Sequence, residues 1–311
     1  MSRHQLTPRD VTTIISFVRL PNLLLIVLFM WLIRWSQLEG AFVTHGISFC
    51  LSNAQFNFLV FDVLIVTLIG YWINDWYDRE IDKINRPNRL LVRLDLQQNA
   101  FYLLILAMLC FGSALTLNIA VETDNLRYVW IFPISIVLLM VYAKWWKRSG
   151  FIGNVLVSVM IAILPGLILI SELPSLHQLA SISHEEFNNI IRAICTYAAL
   201  MFFSNLSREI VKDNEDLKGD KLNGVRSLAV LIGPKNTRFI TSSLLLLSIA
   251  VELYFIGNLS LNASNSVFAG VITIMCLSLI LISFFAPKSH SLQSTLHKVL
   301  MLTGVLQLLV L

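Results

Sequence analysis

Residues 56–82 read FNFLVFDVLIVTLIGYWINDWYDREID, an apolar run that ends abruptly in acid. Crossing a bilayer takes about 20 apolar residues in a helix, and 56–75 supply them. If the helix runs on past Asn74, then Asp75, Asp78 and Asp82 fall at i, i+3 and i+7, within an arc of about 60°. The same design recurs at 208–220, REIVKDNEDLKGD. There Glu209, Asp213, Asp216 and Asp220 stand at i, i+4, i+7 and i+11, again within about 60°, with Gly219 a possible break before the last. Stacked like charges destabilise a helix, and the lower dielectric near a membrane worsens the repulsion. Two such stripes, each at the end of an apolar helix, are built to hold cations. A ligand set made only of oxygens selects hard ions, Mg²⁺ before zinc or copper. The bland alternative is a pair of solvated loops paired to their Lys and Arg neighbours.

Outward from these stripes, the rest of the chain agrees with a membrane setting. Of 311 residues 56% are hydrophobic and 14% charged, with a net charge of +4. A soluble domain is closer to a quarter charged. Candidate spans lie at 14–35, 56–75, 100–119, 127–146, 151–171, 190–208, 238–257, 266–286 and 294–311, the last shortened by Ser294, Thr295, His297 and Lys298. The reading is an all-α polytopic membrane protein, one domain over 1–311, with about nine transmembrane helices around a central cavity. With a cytoplasmic N-terminus, all but Arg34, Arg127 and Arg192 of the 23 Lys and Arg fall on the cytoplasmic side, as the positive-inside rule requires. Both acidic stripes are then cytoplasmic, and the protein sits in the cell membrane. The basic residues serve topology, so no nucleic-acid partner is implied, nor an obligate protein partner. The longest loops are expected at 36–55, 76–99, 172–189 and 209–237. Cys50, Cys110, Cys195 and Cys276 are scattered singly and read as small core residues, and the six histidines form no constellation.

Three aspartates in each stripe leave room for Mg²⁺ ions bridged by a diphosphate, because Mg²⁺ typically binds through one or two carboxylates plus substrate phosphates. A metal-held leaving group inside an apolar helical cavity suits ionisation of an allylic diphosphate. At this point the sequence resembles a known family. Asn74-Asp75-x-x-Asp78-x-x-x-Asp82 is similar to the first motif of the UbiA superfamily of intramembrane prenyltransferases, and Asp216-x-x-x-Asp220 before Gly224 to the second. Arg19-Leu20-Pro21-Asn22, Ile84-Asn85-Arg86-Pro87-Asn88-Arg89, and Tyr142 through Lys147-Arg148 and Gly153-Asn154 extend the likeness over most of the chain. The run Arg208 to Gly224 most resembles the branch that prenylates geranylgeranylglyceryl phosphate. Leu90-Leu91-Val92-Arg93 departs from that branch, which has a Pro and a small turn there.

The resemblance implies a transferase that moves a prenyl group, expected to be geranylgeranyl, from a prenyl diphosphate to a lipophilic acceptor. Asp75, Asp78, Asp82, Asp213, Asp216 and Asp220 would be the catalytic Mg²⁺ ligands, with Asn74 assisting. Arg19, Lys147 and Arg86 would meet the diphosphate, Lys144 competing with Lys147. Tyr142 would orient an aspartate or shield the cation. Asn22 would line the cavity or bond between helices. An aromatic quinone or pigment precursor is the alternative acceptor. A CDP-alcohol phosphotransferase would need an Asp-Gly start that this chain lacks. A cation transporter would need acids deep in several helices, where only Asp62 and Glu252 stand.

Overall fold

The computed structural model describes residues 18–79, 98–146, 150–222, 224–257, 263–286 and 289–309, and every element among them is helical. They are α1 (Leu20–Thr44), α2 (Asn53–Tyr77), α3 (Gln98–Glu122), α4 (Arg127–Trp146) and α5 (Phe151–Ser171). There follow α6 (Leu173–Ile182), α7 (His184–Leu222), α8 (Leu228–Gly257), α9 (Ala263–Phe285) and α10 (His290–Gln307). Among the described residues eight helices are long and apolar enough to cross a membrane. The protein is a multi-pass membrane protein. The ninth expected span does form a helix, α10, but it buries Gln293, His297 and Gln307 and is too polar to count with the others.

The chain divides into two compact units, Met1–Val27 with Ser52–Trp145, and Leu28–Leu51 with Trp146–Leu311. In the first, α2 opens with a capping box. The Ser52 side chain accepts from the Gln55 backbone N–H, and the Gln55 side chain accepts from Ser52 N–H, satisfying two donors that a helix start leaves orphaned. Ile65, Ile69, Trp72 and Ile73 of α2 pack with Phe101 and Ile105 of α3 and with Phe132 and Ile136 of α4. Small residues set the closeness of approach: a Cβ at Gly112 would lie 2.3 Å from the Phe132 ring, and one at Gly70 3.0 Å from Leu139. In lipid, where apolar burial gives helices no net attraction, such contact between small residues and large partners holds them together.

The second unit is organised by α7, 39 residues long. At 1.5 Å per residue that is about 58 Å, against a hydrocarbon core of about 30 Å, so its polar ends project from the apolar layer. The loop expected over 209–237 is therefore mostly helix. α7 runs unbroken through Gly219 to Leu222, and the stop comes at Gly224. Gly224 has φ +66°, Val225 N–H bonds to Asp220 O at 2.9 Å and Gly224 N–H to Lys221 O at 3.4 Å. These are the two bonds of a Schellman stop, which places a left-handed residue where glycine carries no Cβ penalty. The expected loop at 172–189 likewise holds α6. α8 bends early, at Gly233 (φ 79°) and Pro234.

Buried polar bonds tie this unit. Ser207 Oγ lies 2.7 Å from His297 Nε2, while His297 Nδ1 lies 2.7 Å from Gln293 O. A ring nitrogen facing a carbonyl must carry the proton, so Nε2 accepts and Ser207 donates. Gln307 donates to Glu252 at 2.7 Å. At the other end of the unit, Arg34, only 4% exposed, donates to Glu172 at 3.0 Å and to the Leu51 carbonyl, and Glu172 also accepts from Cys50 N–H at 2.6 Å. Ser175 Oγ donates to Ser48 O, so α6 and the loop after α1 are latched to each other.

Candidate functional site

In the first unit the acidic stripe begins as expected at the end of α2, which closes at Tyr77. Asn74 and Asp75 are in the last turn of α2, and Asp78 is its C-cap, with its N–H bonded to Asn74 O at 3.0 Å. Asp82 and Arg86 lie outside the described residues. Asp75 is buried and faces Arg19, whose Nη2 stands 2.5 Å from Asp75 Oδ1. The Arg19 guanidinium also lies over the Tyr71 ring, 4.2 Å from its centroid, and Asn22 Nδ2 donates to Tyr71 Oη at 3.1 Å.

The structure thus brings Arg19, Asn22, Tyr71 and Asp75 together. Asn22 takes the second of its two expected roles, a bond between α1 and α2. Tyr71 was missed by sequence reasoning, yet the signal was there: it precedes Asp75 by four residues and so shares its face of α2. Tyr142 packs against the core of α2, α3 and α4 at the start of a wider, π-type turn that carries Ala143 and Lys144. The Lys144 ammonium lies over the Trp145 ring at 4.8 Å, and Lys147 lies outside the described residues. Trp76 stacks on Phe101 at 4.4 Å, fixing the acidic end of α2 to the start of α3.

In the second unit the stripe is real along its whole length, since α7 is continuous from Glu209 to Asp220. Its members nevertheless differ. Glu209 is matched by cations, accepting from Arg208 at 3.2 Å and from Lys212 at 2.7 and 2.8 Å. Asp213 accepts from Asn154 of α5 at 2.8 Å and from the Leu228 backbone N–H at 3.2 Å. Asp216 is half-buried, and Asp220 is buried one turn later. Asn214, off the stripe, accepts from Thr237 Oγ1 at 3.0 Å. Lys218, Lys221 and Arg226 are exposed around this end.

The donors suit a hard cation, being carboxylates without His or Cys. Among the described residues no three His, Cys, Asp or Glu side chains close on one point. The two mid-span acids are fully buried, Asp62 in α2 and Glu252 in α8.

The "UbiA prenyltransferase family" sequence profile matches residues 40–302. Among curated relatives, the digeranylgeranylglyceryl phosphate synthase of Sulfurisphaera tokodaii is 34% identical over 64% of this chain and 67% of its own. That of Korarchaeum cryptofilum is 30% identical over 79% and 81%. A solved structure concerned with digeranylgeranylglyceryl phosphate synthase in membranes superposes with a TM-score of 0.62 at 22% identity, covering 96% of this chain and 97% of that one. A UbiA homologue from Archaeoglobus fulgidus bound to GPP and Mg²⁺ gives 0.53 at 14% identity, over 94% and 99%. The helical architecture, the two acidic helix ends and the matched length lead to one conclusion: this chain belongs to the UbiA prenyltransferase family, and it is an enzyme of prenyl transfer.

Proposed function

We propose that the enzyme transfers a geranylgeranyl group from its diphosphate to a geranylgeranylglyceryl-phosphate-type acceptor, with Mg²⁺ at the acidic ends of α2 and α7. The observation that carries this reading is the end of α7. An unbroken acidic face there is edged by the exposed cations Lys218, Lys221 and Arg226. With the aspartates neutralised by metal, the remaining positive potential favours capture of a phosphorylated acceptor over a neutral one. The names of the two curated relatives support the same acceptor, and the GPP- and Mg²⁺-bound homologue supports the donor and the metal.

In the reaction the C1–O bond of the allylic diphosphate breaks and its electron pair leaves with the diphosphate. The acceptor hydroxyl then attacks C1, an ether bond forms, and the hydroxyl proton passes to solvent. Mg²⁺ supplies neutralisation of the departing charge. Asp75 and Asp78, with Asp82, would hold it at α2, and Asp216 and Asp220 at α7. Arg19, Arg86 and Lys147 or Lys144 would meet diphosphate oxygens. Counted along the chain, four spans separate the end of α2 from the end of α7, and the even number supports a common, cytoplasmic side for both.

The test is product identification by mass after incubating purified protein with geranylgeranyl diphosphate and a panel of acceptors. Ether formation on the glycerophosphate is expected. Prenylation of 4-hydroxybenzoate or a naphthoate, without the ether, would replace the acceptor and leave the reaction class intact. Omitting Mg²⁺ and Mn²⁺ should abolish turnover. Asp78→Asn and Asp216→Asn should each lower it by orders of magnitude in protein that still inserts.

A further inference from the structure

We propose that Asn154 is a positioning residue for the α7 stripe: it holds Asp213 as a brace joining α5, α7 and the start of α8, and the carboxylates that α7 offers to metal are Asp216 and Asp220. This rests on the Mg²⁺ reading of the stripe.

The argument begins at one oxygen. Asp213 Oδ2 accepts both the Asn154 Nδ2 bond at 2.8 Å and the Leu228 N–H bond at 3.2 Å. Two donors occupy the lone-pair directions of that oxygen and commit half of the carboxylate to the brace. Each donor has its own reason to be there. Val230 and Leu231 N–H both bond to Ser227 O, so Leu228 N–H opens a turn with no acceptor inside it, and Asp213 supplies one.

Asn154 arrives through close packing below it. Gly150, with φ +70°, precedes α5, and a Cβ there would stand 2.8 Å from Arg226 O. The start of α5 is thereby pressed onto the segment linking α7 to α8. One turn on, Asn154 presents its amide to Asp213. Another turn on, Ser158 Oγ donates to Asn154 O at 2.7 Å and accepts from Asn205 Nδ2 at 3.1 Å. Asn205 lies on α7 eight residues before Asp213, and Ser158 and Asn205 are both buried. α5 and α7 are therefore clasped by two polar rungs, 154 to 213 and 158 to 205, which fix the rotation of α7. That rotation decides which way Asp216 and Asp220 point.

The roles separate through the isosteric amide. An Asn at 213 keeps an oxygen able to accept from both N–H groups, whereas an Asn at a metal position removes the ligand charge. Mn²⁺ binding to the purified full-length protein, followed by electron paramagnetic resonance with geranylgeranyl thiolodiphosphate present, reads this without turnover. Asp216→Asn and Asp220→Asn should each weaken Mn²⁺ at least tenfold. Asp213→Asn should stay within about threefold of the parent. Asn154→Asp, which sets two carboxylates against each other, should weaken it. Asn154→Asp combined with Asp213→Asn recreates the bond with donor and acceptor exchanged, and should recover at least half of the loss. Equal losses at 213 and 216, or no recovery in the exchanged pair, would overturn the brace while leaving the metal reading standing. Unchanged Mn²⁺ binding in all of these variants would overturn the metal reading, and the proposal with it.

Discussion

Arg19 takes a backbone conformation that L-residues avoid, φ 54°, immediately before α1 starts. Such a residue costs about 1–3 kcal/mol and persists only where its surroundings hold it. Here the Asp75 ion pair and the Tyr71 ring do so. The guanidinium and a metal ion compete for the same carboxylate. Arg19→Ala should therefore tighten Mn²⁺ binding in the absence of diphosphate and raise KM for geranylgeranyl diphosphate, two shifts of opposite sense in the two assays. Loss of affinity in both would mean that Arg19 supports the fold alone. At Gly224, φ +66° closes α7. Gly224→Ala should cost about 1–2 kcal/mol and lower the thermal midpoint in detergent by a few degrees.

Helix pairs in the first unit depend on the absence of side chains at two positions. Gly112→Ala drives a methyl into the Phe132 ring, an overpacking that should cost about 1–3 kcal/mol. Phe132→Leu in the same chain should recover much of it, and thermal stability of the double variant in detergent checks this. Composition and charge made the spans legible, because about 20 apolar residues in a row admit few other readings. Spacing made the face of α7 legible as well. The length of α7 was not, because a polar helix end looks like a loop until Gly224 shows where the turn stops. Asn154 stood within a recognised stretch, but its partner lies 59 residues away, a distance no local pattern spans. Cys110 and Cys195 turn outward on their helices, which shows that an apolar run tells burial in lipid from burial in protein poorly.

For the molecule as a whole, sidedness is the property that the proposed chemistry needs most. After Ser replacement of Cys50, Cys110, Cys195 and Cys276, single cysteines at the exposed positions Asn99, Lys218 and Glu185 would report it. Impermeant maleimide should reach Asn99→Cys and Lys218→Cys from the cytoplasmic side and Glu185→Cys from the other. Labelling of the first two from opposite sides would remove the common catalytic face.

The Arg34–Glu172 latch also governs how the protein is made. Its partners are 138 residues apart in sequence, and at about 5–20 residues per second the ribosome takes roughly 7–28 s to go from one to the other. Throughout that interval the distal half of α1 waits in the membrane with its guanidinium short of its final carboxylate, while α2 to α5 are threaded after it. The unit containing Ser52–Trp145 has its whole sequence before Glu172 exists. Biogenesis is thereby ordered: the earlier unit can mature during translation, whereas the later one stays unlocked until α5 has been inserted and the chain turns into α6.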